Sequence, residues 1–194
     1  MSQLELLRDH KKPFTIHIKF NTGMNRLGFE IEEAPLVAQV LEASPFLKLE
    51  GVLTHLSDGE NSLEEGSVTD QQLQKLTTIL PHFEKWNPII HALNSGGMIC
   101  RMMAPRGQGD TINFWGRRRN WGIRPGLSLY GYNPTNLELP IELKPVMSLK
   151  SHIQSFRKIK KGTKVSYGGS WQVQRDSTIG LVPIGYADGV SRVL

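Results

Sequence analysis

The residues of this 194-residue chain whose types suit chemistry are Lys19, Arg26, His55, Asn94, Ser95, Arg124, Gly126 and Tyr186. The arginines carry a permanent charge, and histidine titrates near neutrality. A serine hydroxyl, and main-chain N–H groups that a glycine leaves open to close approach, can hydrogen-bond an anion. Tyr186 serves as a base only where positive charge or hydrogen bonding stabilises its phenolate, because a free tyrosine has a pKa of about 10. Taken alone, each has an ordinary structural reading. His55 suits a structural histidine at a strand end, and Asn94-Ser95-Gly96-Gly97 suits a turn. Arg124 suits a surface ion pair, and Tyr186 a packed aromatic with its hydroxyl satisfied.

Strand ends are needed to hold such residues. Thr15 to Phe20 alternates as a strand does and runs into a glycine-containing loop, Asn21 to Gly28. A helix fits Glu32 to Ala43. Leu49 to Leu56 is a second apolar run containing His55, followed by a polar loop from Ser57 to Ser67. Thr69 or Asp70 can cap a helix reaching Trp86, because Leu73, Leu76, Leu80 and Phe83 recur at helical spacing. Ile89 to Leu93 reads as a third strand closed by Asn94-Ser95-Gly96-Gly97. Gly122 to Leu129 reads as a fourth, weakened by Pro125 and Gly126. Strand, loop and helix repeated in this way predict a parallel α/β sheet or barrel with its functional residues where strands meet loops.

After Pro134 the texture changes. Leu143 to Ile159, Thr163 to Tyr167 and Thr178 to Ile184 read as successive strands with no convincing helix between them. The expected division is therefore an α/β unit over residues 1–135 and the start of a β-rich domain over 136–194. A composition of 39% hydrophobic and 21% charged residues excludes disorder. No run approaches the roughly 18 apolar residues of a membrane helix, and the polar start lacks the core of a signal peptide. The expectation is a cytoplasmic protein with no membrane partner. Cys100 is the single cysteine, so no internal disulfide and no paired-cysteine metal site can form, which agrees with a reducing compartment and with no metal. A net charge of +5 admits an anionic ligand or nucleic acid. Arg117-Arg118-Arg119 between Trp115 and Trp121 would suit single strands by stacking. The basic residues are otherwise spread, so this cluster and Arg157 to Lys161 are read as solvated surface, with no nucleic-acid partner.

Five segments occur in order along nearly the whole chain. They are HIKFNTGMNRLG (17–28), GVLTHL (51–56), HALNSG (91–96), RPGLSLYG (124–131) and VPIGYADG (182–189). Together they resemble alanine racemase. The resemblance implies a (β/α)8 barrel followed by a β domain, a homodimer with shared active sites, pyridoxal 5'-phosphate as cofactor, and alanine as the amino acid substrate. It implies that Arg124 faces the pyridine nitrogen and that His55 lies by the cofactor and hydrogen-bonds to that arginine. Ser95, Asn94, Gly126 and Leu127 match cofactor-binding positions, the phosphate falling to Ser95, Gly126 and Leu127. Tyr186 resembles the catalytic base on one face of the substrate, delivered by the partner subunit. Lys19 matches a lysine often carbamylated in the family, which orients Arg26 towards the cofactor's phenolic oxygen and the substrate carboxylate.

The sequence also departs from the family. The lysine that binds the cofactor and serves as the second base lies in a motif resembling V-K-A-x-A-Y-G-H-G, and no such motif occurs here. Lys11 and Lys12 lack its sequel. A complete barrel of this kind has eight strands and about 250 residues, whereas four strand-helix units precede the β-rich segment. The expectation is thus a partial barrel, the last four units, followed by an incomplete β domain. Such a chain, isolated, is expected to be inactive or nearly so. Two alternatives stand beside it: a non-catalytic cofactor- or partner-binding relic, and a racemase of another amino acid.

Overall fold

The computed structural model describes residues 3–9, 11–62, 66–104 and 120–191. Arg117 to Arg119 and Trp115 lie outside the described residues. The chain divides into two compact units, Met1–Val146 and Met147–Leu194.

The first unit is built on four parallel strands, β1 (Phe14–Lys19), β2 (Leu47–Leu53), β3 (Ile89–His91) and β4 (Trp121–Gly122), paired in chain order. Its helices are α1 (Gln3–Asp9), α2 (Ala34–Ala43), α3 (Val68–Ile79) and α4 (Ser95–Met103). Alternation along the strands sorts the side chains. Ile18, Leu49, Val52 and Ile90 join the buried cluster with Val37 and Leu41 of α2 and Leu73 and Leu76 of α3. His17, Lys19 and His91 have the opposite parity and take the other face. The β1–β2 register shifts between Ile16, opposite Leu49, and His17, opposite Gly51, so Glu50 is an extra residue. A bulge of this kind re-aims side chains. Here it lets Leu49 and Val52, three apart, share the buried face and brings Glu50 beside His17.

Helix boundaries follow local chemistry more closely than the apolar spacing suggests. α3 is capped by Ser67, whose Oγ accepts from Asp70 N–H at 3.1 Å, two residues before Thr69 and three before Asp70, the expected caps. It stops as an α-helix at Ile79 because Pro81 removes a donor and crowds the preceding turn. A 3-10 segment, Leu80–Trp86, then carries Leu80 and Phe83 into the core. The Glu32–Ala43 reading resolves into a 3-10 turn, Ile31–Glu33, followed by α2. Asn94 to Gly97 does more than turn: Asn94 caps α4, which Ser95-Gly96-Gly97 begins. Two glycines in its first turn mask that helix in the sequence. The fourth strand is two residues long, and Leu127–Tyr130 forms a 3-10 turn instead of its continuation. Pro125 and Gly126 separate the two.

The second unit contains no α-helix among its described residues. β5 (Ser155–Ile159) pairs antiparallel with β8 (Ser177–Leu181), and β6 (Lys164–Val165) with β7 (Trp171–Gln172). Of the long run from Leu143 to Ile159, only β5 is strand. Val173 is buried and fastened on both sides of its peptide, its N–H on Thr163 O and its carbonyl accepting from Gly162 N–H. No described helix is long and apolar enough to cross a membrane.

Phe83 is fully buried, its ring 5.5 Å from that of Phe20 and 6.2 Å from that of Trp86. Phe83→Ala is expected to cost about 3–5 kcal/mol of stability in the first unit. Urea unfolding followed by far-UV circular dichroism measures this, and a loss below about 1 kcal/mol would contradict such packing.

Candidate functional site

Parallel strands deliver their following loops to one end of the sheet, and the chemically capable residues of the first unit collect there. Lys19 is the last residue of β1, His55 follows β2 by two residues, Asn94 and Ser95 join β3 to α4, and Arg124 follows β4 by two. Arg124 is held at both ends. Its backbone N–H donates to Leu93 O at 2.9 Å, and its Nη2 donates to the carbonyl of Thr54. That reach carries the side chain from the β4 end across β3 to the β2 end. The guanidinium bonds to the residue before His55, not to the imidazole, and Arg124 Nε is buried without a partner.

Ser95 organises the neighbouring segment. Its Oγ accepts from Gly126 N–H at 2.8 Å and from Ser128 N–H at 3.2 Å, and lies 3.1 Å from the Ser128 hydroxyl. Leu127 contributes an N–H between these two along the chain, and its side chain is exposed. A Cβ on Gly126 would meet nothing within 4 Å, so its backbone is open to close approach. Asn94 works on its own scaffold. Its Oδ1 accepts from Gly97 N–H at 3.0 Å, and its Nδ2 donates to Leu56 O at 3.2 Å. Gly59 is required beside it, since a Cβ there would stand 2.2 Å from Asn94 Oδ1.

Arg26 sits in the loop after β1, shaped by Asn21. The Asn21 Oδ1 accepts from Asn25 N–H at 2.9 Å and Gly23 N–H at 3.3 Å. Gly28, at φ +128°, packs where a Cβ would lie 2.9 Å from Lys19 O and Asn21 N. Buried Gln72 of α3 ties this loop to the next: its Nε2 donates to Thr22 Oγ1 and His55 O, and its Oε1 accepts from Ser57 N–H and Oγ. Thr22 and Thr54 hydroxyls lie 2.7 Å apart. Asn21, Thr22, Thr54, Gly59, Gln72 and Ser128 were not singled out from sequence. For most the only signal was adjacency to a chemical residue; for Gln72, it was a polar residue on the apolar side of a helix.

The electrostatics are one-signed. Burial first, then the charges of Arg26 and Arg124, lower the Lys19 pKa; burial first, then Arg124, Arg26 and Lys19, lower that of His55. Burial also lowers Arg124. Neither arginine nor Lys19 makes an ion pair with a carboxylate among the described residues. Cations held together without counter-charge form a receptor for an anion. Beneath them a second group extends across the sheet: His17 Nδ1 lies 2.8 Å from His91 Nε2, and His17 Nε2 lies 3.0 Å from Glu50 Oε2. Tyr186 belongs to the second unit, at the head of a 3-10 turn (Tyr186–Asp188), and is 73% exposed. No cluster of three metal-ligating side chains occurs among the described residues.

Against known families, the model described as alanine racemase, N-terminal domain, matches residues 1–134, and that of the C-terminal domain matches 146–194. The chain belongs to the alanine racemase family. The alanine racemase of Borreliella burgdorferi is 35% identical over 185 residues, 93% of this chain and 45% of that protein. The alanine racemase of Methanococcus maripaludis is 35% identical over 197 residues, 98% and 48% of the respective chains. Among solved structures, alanine racemase from Bacillus anthracis with bound L-Ala-P superimposes with a TM-score of 0.69 at 28% identity, covering 95% of this chain and 46% of that one. Alanine racemase from Bartonella henselae with covalently bound pyridoxal phosphate does so with a TM-score of 0.67 at 27% identity, covering 98% and 48%. The chain spans about half the length of the relatives it matches. Its fold is accordingly part of the alanine racemase barrel followed by part of the β domain.

In this member of the alanine racemase family the buried histidines carry a pH signature. Burial, then Arg124 and His17, push His91 down from 6.5 to about 4. Unfolded, His91 and His55 take up protons near pH 6.5 that the folded chain refuses, so stability falls as pH drops from 6.5 towards 4. Urea midpoints are expected to be lower at pH 5 than at pH 7, with the difference reduced in His91→Gln. Equal midpoints for the native chain would mean that these imidazoles are not held neutral.

Proposed function

We propose that this chain provides the phosphate- and pyridine-binding side of a pyridoxal 5'-phosphate-dependent alanine racemase, which interconverts L- and D-alanine. The observation that carries the reading is Ser95 Oγ gathering the Gly126 and Ser128 N–H groups in a unit whose Lys19, Arg26 and Arg124 have no carboxylate partner among the described residues and whose charge bears on His55. A phosphate would take the place of Ser95 Oγ as acceptor for these main-chain donors, and Arg124 Nε is a further buried donor without a partner. The bound ring supplies a sink for the electron pair left on the substrate Cα when its proton departs.

This chain's residues do the rest. Ser95, Gly126 and Leu127 hold the phosphate at the start of α4. Arg124 donates to the ring nitrogen without surrendering a proton, since its charge is permanent. That keeps the nitrogen unprotonated, which favours simple return of the Cα proton over side reactions. His55, kept neutral by burial and its cationic neighbours, lies beside that contact. Arg26 aims at the cofactor's phenolic oxygen and the substrate carboxylate. The lowered pKa of Lys19 favours the free amine, the form that combines with carbon dioxide; the resulting carbamate gives Arg26 a counter-charge. Tyr186, exposed on the β domain, takes or returns the Cα proton on one face, in the site of a partner protomer. The reaction takes place in the cytoplasm of a homodimeric enzyme and supplies D-alanine for peptidoglycan.

The second base of the family lies in a motif this sequence does not contain. The racemisation proposed here is therefore that of the whole assembly which carries the lysine, whether that lysine lies on the same polypeptide or on another. Pyridoxine 5'-phosphate, which has no aldehyde to react with surface lysines, is expected to bind at least tenfold more tightly than pyridoxine in calorimetry. Ser95→Val should remove about 1 kcal/mol of that preference. Equal affinity for the two ligands would sink the phosphate assignment. Co-expression with a polypeptide bearing the lysine motif is expected to yield D-alanine from L-alanine, and Tyr186→Phe to reduce the rate by about a hundredfold or more. D-alanine formed by the chain alone would mean that the second base lies within it.

A further inference from the structure

Gln72 is a polar residue on the buried side of α3, 1% exposed, and its carboxamide is fully engaged inside the first unit. Nε2 donates to His55 O at 3.0 Å and to Thr22 Oγ1 at 3.2 Å, while Oε1 accepts from Ser57 N–H at 2.9 Å and from Ser57 Oγ at 3.0 Å. Both donors and both acceptor positions are thereby filled. The way the amide faces is dictated by its main-chain partners. A carbonyl only accepts and a main-chain N–H only donates, so His55 O requires the NH2 and Ser57 N–H requires the oxygen. Turning the amide over would set acceptor against acceptor and donor against donor.

That orientation passes to the neighbouring strand ends. Because Gln72 donates to Thr22 Oγ1, the Thr22 hydroxyl directs its own proton to Thr54 Oγ1, 2.7 Å away. Thr54 in turn donates to Phe20 O at 2.9 Å, which leaves its oxygen to accept from Thr22. The bonds therefore run one way, from Gln72 through Thr22 and Thr54 to the residue after β1, and Thr22 and Thr54 are as deeply buried as Gln72. The Thr54 carbonyl anchors Arg124, and His55 is the next residue. Gly23 admits the amide: its φ of +147° favours glycine, and a Cβ there would stand 3.3 Å from Gln72 Cγ.

We propose that Gln72 is a positioning residue whose one-way chain through Thr22 and Thr54 fixes the Arg26 loop against His55 and against the Thr54 anchor of Arg124. Thr22 and Arg26 share the loop after β1, so the chain sets how that loop stands to the β2 end. Burial first, then the charges of Arg124, Arg26 and Lys19, hold the His55 pKa down. Releasing the Arg26 loop relieves His55. It leaves His91 on β3, which is lowered by burial, Arg124 and His17, as it was. The bearing on a bound ring rests on the cofactor reading above; the hydrogen-bond chain and the surroundings of His55 do not.

In proton spectra of the full chain the Thr22 hydroxyl proton is expected to exchange slowly with solvent and to show a through-space contact with Thr54. Thr22→Val keeps the side-chain outline and removes the link. In that variant the His55 titration midpoint should rise towards 6.5 while that of His91 stays at about 4. Thr22→Ser, which keeps a hydroxyl, should return His55 to its native midpoint. Gln72→Met should raise His55 at least as far as Thr22→Val does; should it not fold, the two Thr22 variants carry the test. Thr22→Val should also weaken pyridoxine 5'-phosphate binding about fivefold, the worth of one hydrogen bond. It should leave unchanged the affinity for the 3-deoxy analogue, which lacks the phenolic oxygen assigned to Arg26. A Thr22 hydroxyl proton in free exchange, or a His55 midpoint unmoved in Thr22→Val, would overturn the proposal. So would a joint rise of His55 and His91, or equal weakening of both ligands, the marks of a merely structural role. The expected spectra and titrations with neither ligand bound would uphold the Gln72–Thr22–Thr54 chain and refute the cofactor reading instead.

Discussion

Helices cover one face of a four-stranded parallel sheet, and that constraint governs the first unit. Because side chains alternate, burying Ile18, Val52 and Ile90 against α2 and α3 commits His17, Lys19 and His91 to the opposite face. Because the strands run the same way, the loops bearing Arg26, His55, Ser95 and Arg124 leave the sheet at one end. Neither arrangement needs a specific contact among the polar residues themselves. The apolar core is sufficient, and the bulge at Glu50 is the local adjustment that keeps β2 in step with it.

The site that results is costly on its own. The charges of Lys19, Arg26 and Arg124 bear on one another, Lys19 and Arg124 are partly desolvated, and no carboxylate among the described residues pairs with them; the same charges and burial disfavour protonation of His55. A tight polar frame holds them together: Gln72 bridges the loops after β1 and β2, Thr54 anchors Arg124, and Asn21 shapes the Arg26 loop. The frame is made largely of main-chain carbonyls and neutral side chains. It therefore restrains the cations without neutralising them, which leaves their charge for a ligand.

The two units use their polar residues differently. In the first, chemically capable side chains are partly buried and framed. In the second, the strands are short, Phe156, Trp171 and Tyr186 are exposed, and Val173 is the buried aliphatic residue among those described. An exposed tyrosine on a glycine-bounded turn, Gly185 to Gly189, is a side chain presented outward.

Apolar periodicity located the first three strands and the two longer helices, since burial of one face is a property each segment carries by itself, whereas the fourth strand and the run from Leu143 to Ile159 were read too long. The repeated strand-loop-helix pattern likewise placed His55, Asn94, Ser95 and Gly126 where strands meet loops, because strand, loop and helix are read locally. Element ends were less legible where a cap, a proline or paired glycines overrode the spacing, as at Ser67, Pro81 and Gly96-Gly97. What only the tertiary structure decided were the contacts between segments distant in the chain: Ser95 with Gly126 and Ser128, Gln72 with Thr22 and His55, and His17 with His91 and Glu50. Each depends on strand register and on which loop stands beside which. A one-residue shift in pairing, such as the one at Glu50, changes both without altering any local pattern.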